Sequence, residues 1–199
     1  MTLVMGPPGC GKSTFLKALA GHLSTHKDLQ LDGQLTFNGD DIKSNKFIQS
    51  KVVDYCDEAD THIAVLTVKE TLEFAWRATT GGSHLSENSM GSVKSQQHYA
   101  KTMDDGLSKV MNIIKLLGLE SCQDTIVGDD MLKGISGGQK RRVTLGEILV
   151  CPRSVKVLDA ISNGLDAATT FDINRSLKIA SKVLDTTIVT SLLQVWSIS

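Results

Sequence analysis

Nine residues near the start of the chain, Gly6-Pro7-Pro8-Gly9-Cys10-Gly11-Lys12-Ser13-Thr14, have the types and spacing needed to hold a phosphate chain. They fit the pattern of a glycine, four free positions, then Gly-Lys-Ser/Thr. Gly6, Gly9 and Gly11 let the backbone curl until its N–H groups point inward at phosphate oxygens, which a Cβ at those turns would obstruct. Lys12 would reach the β- and γ-phosphates, and the Ser13 hydroxyl would sit on Mg²⁺. A second anion-binding geometry follows at Ser136-Gly137-Gly138-Gln139, a hydroxyl and two glycines at a helix start. Asp159 closes an apolar run, as an acid associated with Mg²⁺ should. The chemistry these residues suit is the binding of a nucleoside triphosphate with its magnesium ion.

The surrounding sequence supplies elements to position them. Thr2-Leu3-Val4-Met5 reads as a buried parallel strand ahead of the loop, and Phe15 to Ala20 has helical spacing behind it, so a helix N-terminus faces the phosphates. Leu31 to Gly39 alternates apolar and polar side chains and ends in a turn signal, which predicts a small antiparallel excursion. Val52 to Cys56 is a second strand. Leu66 to Leu72 opens a helix through a capping box of Thr67 and Glu70, with Leu72, Phe74, Ala75 and Ala78 as its apolar face and Trp76 in the core. Thr79 to Gln97 lacks a period and reads as a loop. Val110, Ile113, Ile114 and Leu117 recur at helical spacing before a Gly118 cap. Asp124 to Gly134 is irregular, and a helix then runs through Leu149. Val155 to Asp159 is a third strand, Phe171 to Val183 an amphipathic helix, and Thr187 to Leu193 a fourth strand. Strands alternating with helices predict an α/β fold with a parallel sheet.

Composition narrows the function classes. The 199 residues are 41% hydrophobic and 22% charged, the profile of an ordinary globular protein. The 21 basic and 22 acidic side chains nearly cancel, which gives no support for a polyanion-binding surface, so no nucleic-acid partner is expected. Lys140-Arg141-Arg142 reads as a solvated helix face rather than a nucleic-acid patch. Cys10, Cys56, Cys122 and Cys151 are scattered without metal-ligand spacing and suit a reducing compartment. His62 reads as a structural loop residue, and no metal other than magnesium is expected. No apolar run approaches the roughly 18–20 residues that cross a bilayer.

With these motifs in place, the sequence resembles the ATP-binding cassette (ABC) ATPases. The matching features are a Walker A loop at 6–14, a signature at Ile135-Ser136-Gly137-Gly138-Gln139, a Walker B strand ending at Asp159, and a D-loop at 162–166, in the family's order. Asp60-Thr61-His62-Ile63, Thr125-Ile126-Val127-Gly128-Asp129, Lys133 to Thr144 and Ser191-Leu192-Leu193-Gln194 are similar to subfamily G, in particular to the first cassette of full-length pleiotropic-drug-resistance transporters. The resemblance implies a P-loop NTPase sheet flanked by helices, with an α/β ATP-binding core at 1–58 and 143–199 and a helical insert at 59–142. It implies ATP and Mg²⁺ as cofactors, with Ser13, Glu58 and Asp159 toward the metal. It also implies a second cassette packed head to tail, a transmembrane domain outside this chain, a place on the cytoplasmic face of a membrane, and ATP-driven export of lipids or hydrophobic compounds. An adenine-stacking aromatic upstream of the loop and the continuation beyond Gln194 are both missing, so a partial gene product is expected.

Three positions depart from the family pattern. Ala160 stands where a glutamate would polarise the attacking water, and general-base assistance is worth about 10²–10⁴ in rate. Leu193 stands at the switch histidine and has no hydrogen-bonding group. Glu58 stands at the Q-loop glutamine; it keeps an oxygen but loses the amide donors. The signature, Ser136-Gly137-Gly138-Gln139, is intact. The expectation is a cassette that binds ATP, hydrolyses it poorly at its own site, and completes the site of a partner. A non-catalytic ATP-binding regulator, a non-functional fragment, and a soluble ABC ATPase acting on ribosomes or DNA remain as alternatives.

Overall fold

The computed structural model describes residues 1–23, 32–41, 48–80 and 93–192. In chain order the elements are β1 (Thr2–Val4), α1 (Lys12–Ala20), β2 (Thr36–Phe37), β3 (Asp40–Asp41), α2 (Gln49–Val52), β4 (Val53–Cys56), α3 (Val68–Thr80), α4 (Val93–Leu116), a 3₁₀ turn at Glu120–Cys122, α5 (Gly137–Val150), β5 (Val155–Leu158), α6 (Ala167–Val183) and β6 (Thr187–Ser191). They form two compact units. The first holds residues 1–58, 153–170 and 177–199, and the second holds 59–152 and 171–176.

In the first unit β1, β6, β5 and β4 form one sheet in that order, every pair parallel. A parallel sheet is stable when its faces are covered, and β4 and β5 are accordingly mostly buried, whereas β1, expected as a buried strand, leaves Leu3 39% exposed. Leu16 and Ala20 of α1 lie buried with Val53 of β4 and Val157 of β5, and Val4, Leu19, Tyr55 and Val189 pack around them. The antiparallel excursion is a two-residue hairpin: β2 and β3 pair across Asn38 and Gly39, both at positive φ (51° and 89°). That is the turn handedness which matches strand twist.

Lys156, an odd residue for a strand buried on both faces, is fully buried on β5. Its register partner on β4 is Asp54, and Lys156 Nζ donates to Asp54 Oδ2 at 2.7 Å. Arg153 donates to the other carboxylate oxygen. Burial of one charge is tolerated because the neighbouring strand supplies its counter-charge.

The second unit packs α3, α4 and α5 together around Val68, Leu72, Val110, Ile114, Val143 and Leu145. Thr67 and Glu70 form the expected capping box, with Thr67 N donating to Glu70 Oε2 at 2.9 Å and Glu70 N to Thr67 Oγ1 at 3.2 Å. The crossings are close because small residues sit at them: a Cβ at Gly106 of α4 would run into the Trp76 ring, and one at Gly146 of α5 would press on Leu72. Val110, Ile113, Ile114 and Leu117 are all buried, and Gly118 closes α4 at φ 65°.

Several expected boundaries shift. α3 runs to Thr80 because the Thr79 hydroxyl donates back to Ala75 O and Trp76 O, and α4 opens at Val93, so the expected loop at 79–97 narrows from both ends; 81–92 lie outside the described residues. Phe74 is 58% exposed rather than on the buried face, because it sits about 200° round the helix from Leu72 while Val68, Leu72 and Trp76 share one side. α6 begins at Ala167, four residues ahead of Phe171, since Asp166 caps it by accepting from Thr169 N. β6 ends at Ser191, and the switch position Leu193 falls outside the described residues. No helix among the described residues is long and apolar enough to cross a membrane.

Candidate functional site

Because β1, β6, β5 and β4 are parallel, their carboxyl ends all lie on one edge of the sheet, the edge where open α/β sheets hold ligands. β1 runs into the 6–14 loop, β4 toward Glu58, β5 into Asp159 and β6 ends in Ser191. The first unit therefore gathers the Walker A loop, Glu58 and Asp159 on one edge, with α1 packed on β4 and β5.

The loop is built as its glycines require. Gly9 (φ 78°) and Gly11 (φ 92°) both occupy the left-handed region, and a Cβ at either would meet no atom within 4 Å, so the space over the loop is open. Gly11 caps α1 without a side-chain acceptor, which leaves the amides of the first turn facing outward. Lys12 is buried along its stem, and its Nζ donates to Gly6 O at 2.8 Å and Pro7 O at 2.9 Å. Pro7 and Pro8 are exposed on the rim with Cys10, whose sulfur lies 3.9 Å from Lys12 Nζ, and Ser13 and Thr14 are also exposed. Outward amides, an ammonium and two hydroxyls around open space fit a triphosphate.

Asp159 is 3% exposed at the end of β5. Ser191 Oγ donates to its Oδ1 at 2.6 Å and Tyr55 OH to its Oδ2 at 3.2 Å. Ser191 Oγ also accepts the Ala160 amide at 2.9 Å. Burial, and next the Asp159 charge, push the Tyr55 hydroxyl well above the ordinary tyrosine value, so it remains a donor. Ala160 is buried and held at φ 46°. Glu58 is exposed and accepts from Asn163 Nδ2 of the D-loop at 2.5 Å, which ties the end of β4 to the turn after β5. Serine hydroxyl and carboxylates are the hard oxygen donors that magnesium takes.

In the second unit, Ser136 caps α5. Gln139 N donates to Ser136 Oγ at 3.3 Å, and Ser136 N donates to Gln139 Oε1 at 2.9 Å. The Gln139 side-chain oxygen is thus committed to the box, and the groups left facing outward, the Ser136 O–H and the Gln139 NH₂, are donors. Gly137 carries no side chain over the helix start, and a Cβ there would meet no atom within 4 Å.

The basic trio is not the solvated face that its charge suggested. Arg141 is 2% exposed and donates to Asp60 Oδ1 at 2.8 Å. Lys140 Nζ donates to Gly128 O at 2.9 Å and Arg142 Nη1 to Leu117 O at 3.1 Å. Each of the three cations donates to an acceptor that the fold brings in. His62 is built into the same cluster. No group of three or more His, Cys, Asp or Glu side chains among the described residues is arranged to hold a metal ion.

Tyr55 and Ser191 as partners of Asp159 escaped the sequence reading. The signal lay in register: Leu158 pairs with Thr190, so the next residues, Asp159 and Ser191, are neighbours once β5 and β6 are known to be parallel.

A sequence profile of the family described as ABC transporter matches residues 1–163. The chain belongs to the ABC transporter family. It is 43% identical over 208 residues to ABC transporter G family member 34 of Oryza sativa subsp. japonica, and 40% identical over 213 residues to G family member 31 of Arabidopsis thaliana. Each alignment covers 98% of this chain but 14% of the relative, so the chain spans about a seventh of the length of these curated relatives. Among solved structures, an ABC transporter ATP-binding protein from Pyrococcus furiosus superposes with a TM-score of 0.63 at 18% identity, covering 99% of this chain and 80% of that one. That likeness supports the ABC ATPase fold: a parallel sheet flanked by helices with a small antiparallel pair.

Proposed function

We propose that this ABC-family chain is a G-type nucleotide-binding domain that binds Mg-ATP at its 6–14 loop and works with a second cassette in driving export across a membrane. The observation that carries the nucleotide reading is Lys12. Its ammonium is held by two loop carbonyls at the mouth of an open, donor-lined cradle. Gly6, Pro7, Pro8, Gly9, Cys10, Gly11 and Thr14 would shape and line the triphosphate site. Ser13, Glu58 and Asp159 would hold the magnesium ion, which would offset the negative charge of the phosphates.

The chain's own site lacks a base. Ala160 offers a methyl group where proton acceptance is needed. Its hydrolysis is therefore slow. Ser136, Gly137, Gly138 and Gln139 would present donors to ATP held by the partner cassette. Membrane association would come through a transmembrane domain outside this chain, and the substrates would be lipids or hydrophobic compounds, by the likeness to G family transporters.

The test is calorimetric titration of the chain with ATP and magnesium, followed by turnover in a reconstituted two-cassette transporter. Binding that disappears in Lys12→Ala supports the first step. Turnover that survives Lys12→Ala but is lost in Ser136→Ala supports the division of labour. The opposite pattern overturns it.

A further inference from the structure

Nucleotide chemistry leaves one motif unused: Asp60-Thr61-His62-Ile63, after β4. Asp60 Oδ1 accepts from Arg141 Nη1 at 2.8 Å and from Thr144 Oγ1 at 2.6 Å, both on α5. A threonine hydroxyl has one proton. At 2.6 Å that proton goes to the carboxylate rather than to Lys140 O at 3.2 Å. His62 Nε2 lies 3.0 Å from Thr144 Oγ1 and 3.3 Å from Lys140 O. Toward the imidazole both oxygens are acceptors, so Nε2 carries the ring proton. That leaves Nδ1, which sits 3.5 Å from Glu147 Oε2, also on α5. The pair is at ion-pair distance but has no hydrogen bond at Nδ1, so with the ring neutral two acceptors lie 3.5 Å apart.

We infer that His62 is a proton-operated clamp on α5. A proton added at Nδ1 turns an acceptor–acceptor opposition into an imidazolium–carboxylate pair and draws α5 against the 60–66 segment. The charged groups set against the ring define the effect. Glu147 lies nearest its free nitrogen, and Asp60 and Arg141 compensate one another in a direct pair. Lys140 presents its carbonyl while its ammonium is turned to Gly128 O. The His62 side chain is 3% exposed, so Glu147 rather than water answers the second proton. Since α5 carries the Ser136 box at its first turn, the clamp sets how firmly that donor-bearing turn is held. This inference stands whether or not the 6–14 loop binds nucleotide.

Ring ¹⁵N spectroscopy on the full chain tests it, with the His62 signals assigned by their loss in His62→Gln. At the high-pH end of the titration the expected state is a single proton on Nε2, and at the low-pH end Nδ1 carries the second. Over the same interval, amide exchange across Arg141–Glu147, measured as the ratio of Glu147→Gln to wild type at each pH, should rise roughly two- to fivefold, the range of a part-buried ion pair. His62→Gln, which keeps a donor toward Thr144, should lose this pH dependence. A ring proton on Nδ1 at the higher pH, or an exchange ratio unchanged between the two pH values, overturns the clamp.

Discussion

Ala160, proposed above to leave the site without a base, is also held in the left-handed region, and that strain has a consequence of its own. An L-residue in the left-handed region costs about 1–2 kcal/mol. Burying its methyl returns about 0.8 kcal/mol, and glycine adds about 0.4–1 kcal/mol of unfolded-chain freedom. These contributions nearly cancel, so Ala160→Gly should change stability by less than about 1 kcal/mol. Ala180 is also buried but sits inside α6. There Ala→Gly should cost about 2 kcal/mol, from the lost methyl and the helix penalty together. Urea denaturation of the two variants side by side checks the contrast. A second residue-level expectation concerns acid. Hydrogen bonds from the Thr169 hydroxyl, and then from its amide, hold the Asp166 carboxyl below its ordinary value of 3.8. A lowered folded value means its stabilisation is complete above the unfolded value and fades as pH falls through the folded one. The melting temperature of wild type should therefore fall toward that of Asp166→Asn below about pH 4, with the gap constant above it.

At the scale of elements, the β4–β5 pair tests how the sheet tolerates charge. Lys156→Met leaves the buried Asp54 carboxylate with Arg153 alone and should cost about 3 kcal/mol or more. The double change Asp54→Leu with Lys156→Met should cost less than Lys156→Met, because no charge is then stranded and the Arg153 side chain, 33% exposed, can turn outward. A double-mutant cycle in urea measures it. This pair also shows where sequence reading stops. The loop, the capping box at Thr67 and Glu70, the Asn38-Gly39 hairpin and the α5 start were all legible, since each is written within a few consecutive residues. Lys156 and Asp54 are 102 positions apart, Arg141 and Asp60 81, and Ser191 and Asp159 32. Only strand register and helix packing bring those partners together, and neither is encoded in spacing. Phe74 failed for a related reason: apolar content predicted a buried face, but the helical angle decided which apolar residues share it.

For the molecule as a whole, each unit has its own core, and the proposed nucleotide site draws on residues of the first. Mg-ATP at about a hundred times its dissociation constant should stabilise the chain by about 2.7 kcal/mol by mass action. The expected thermal shift vanishes in Lys12→Ala and persists in Ser136→Ala, whose own effect is a loss of about 1 kcal/mol from the α5 cap. Differential scanning fluorimetry with and without magnesium reads both.

The seat of Trp76 over Gly106 has an optical consequence. The chain has two tryptophans, Trp76 and Trp196. Replacing Trp196 by Phe makes the indole at the α3–α4 crossing the sole long-wavelength emitter, and its wavelength becomes a gauge of hydration there. Blue emission signals a dry crossing, and a red shift on titration with denaturant dates the moment water enters the second unit.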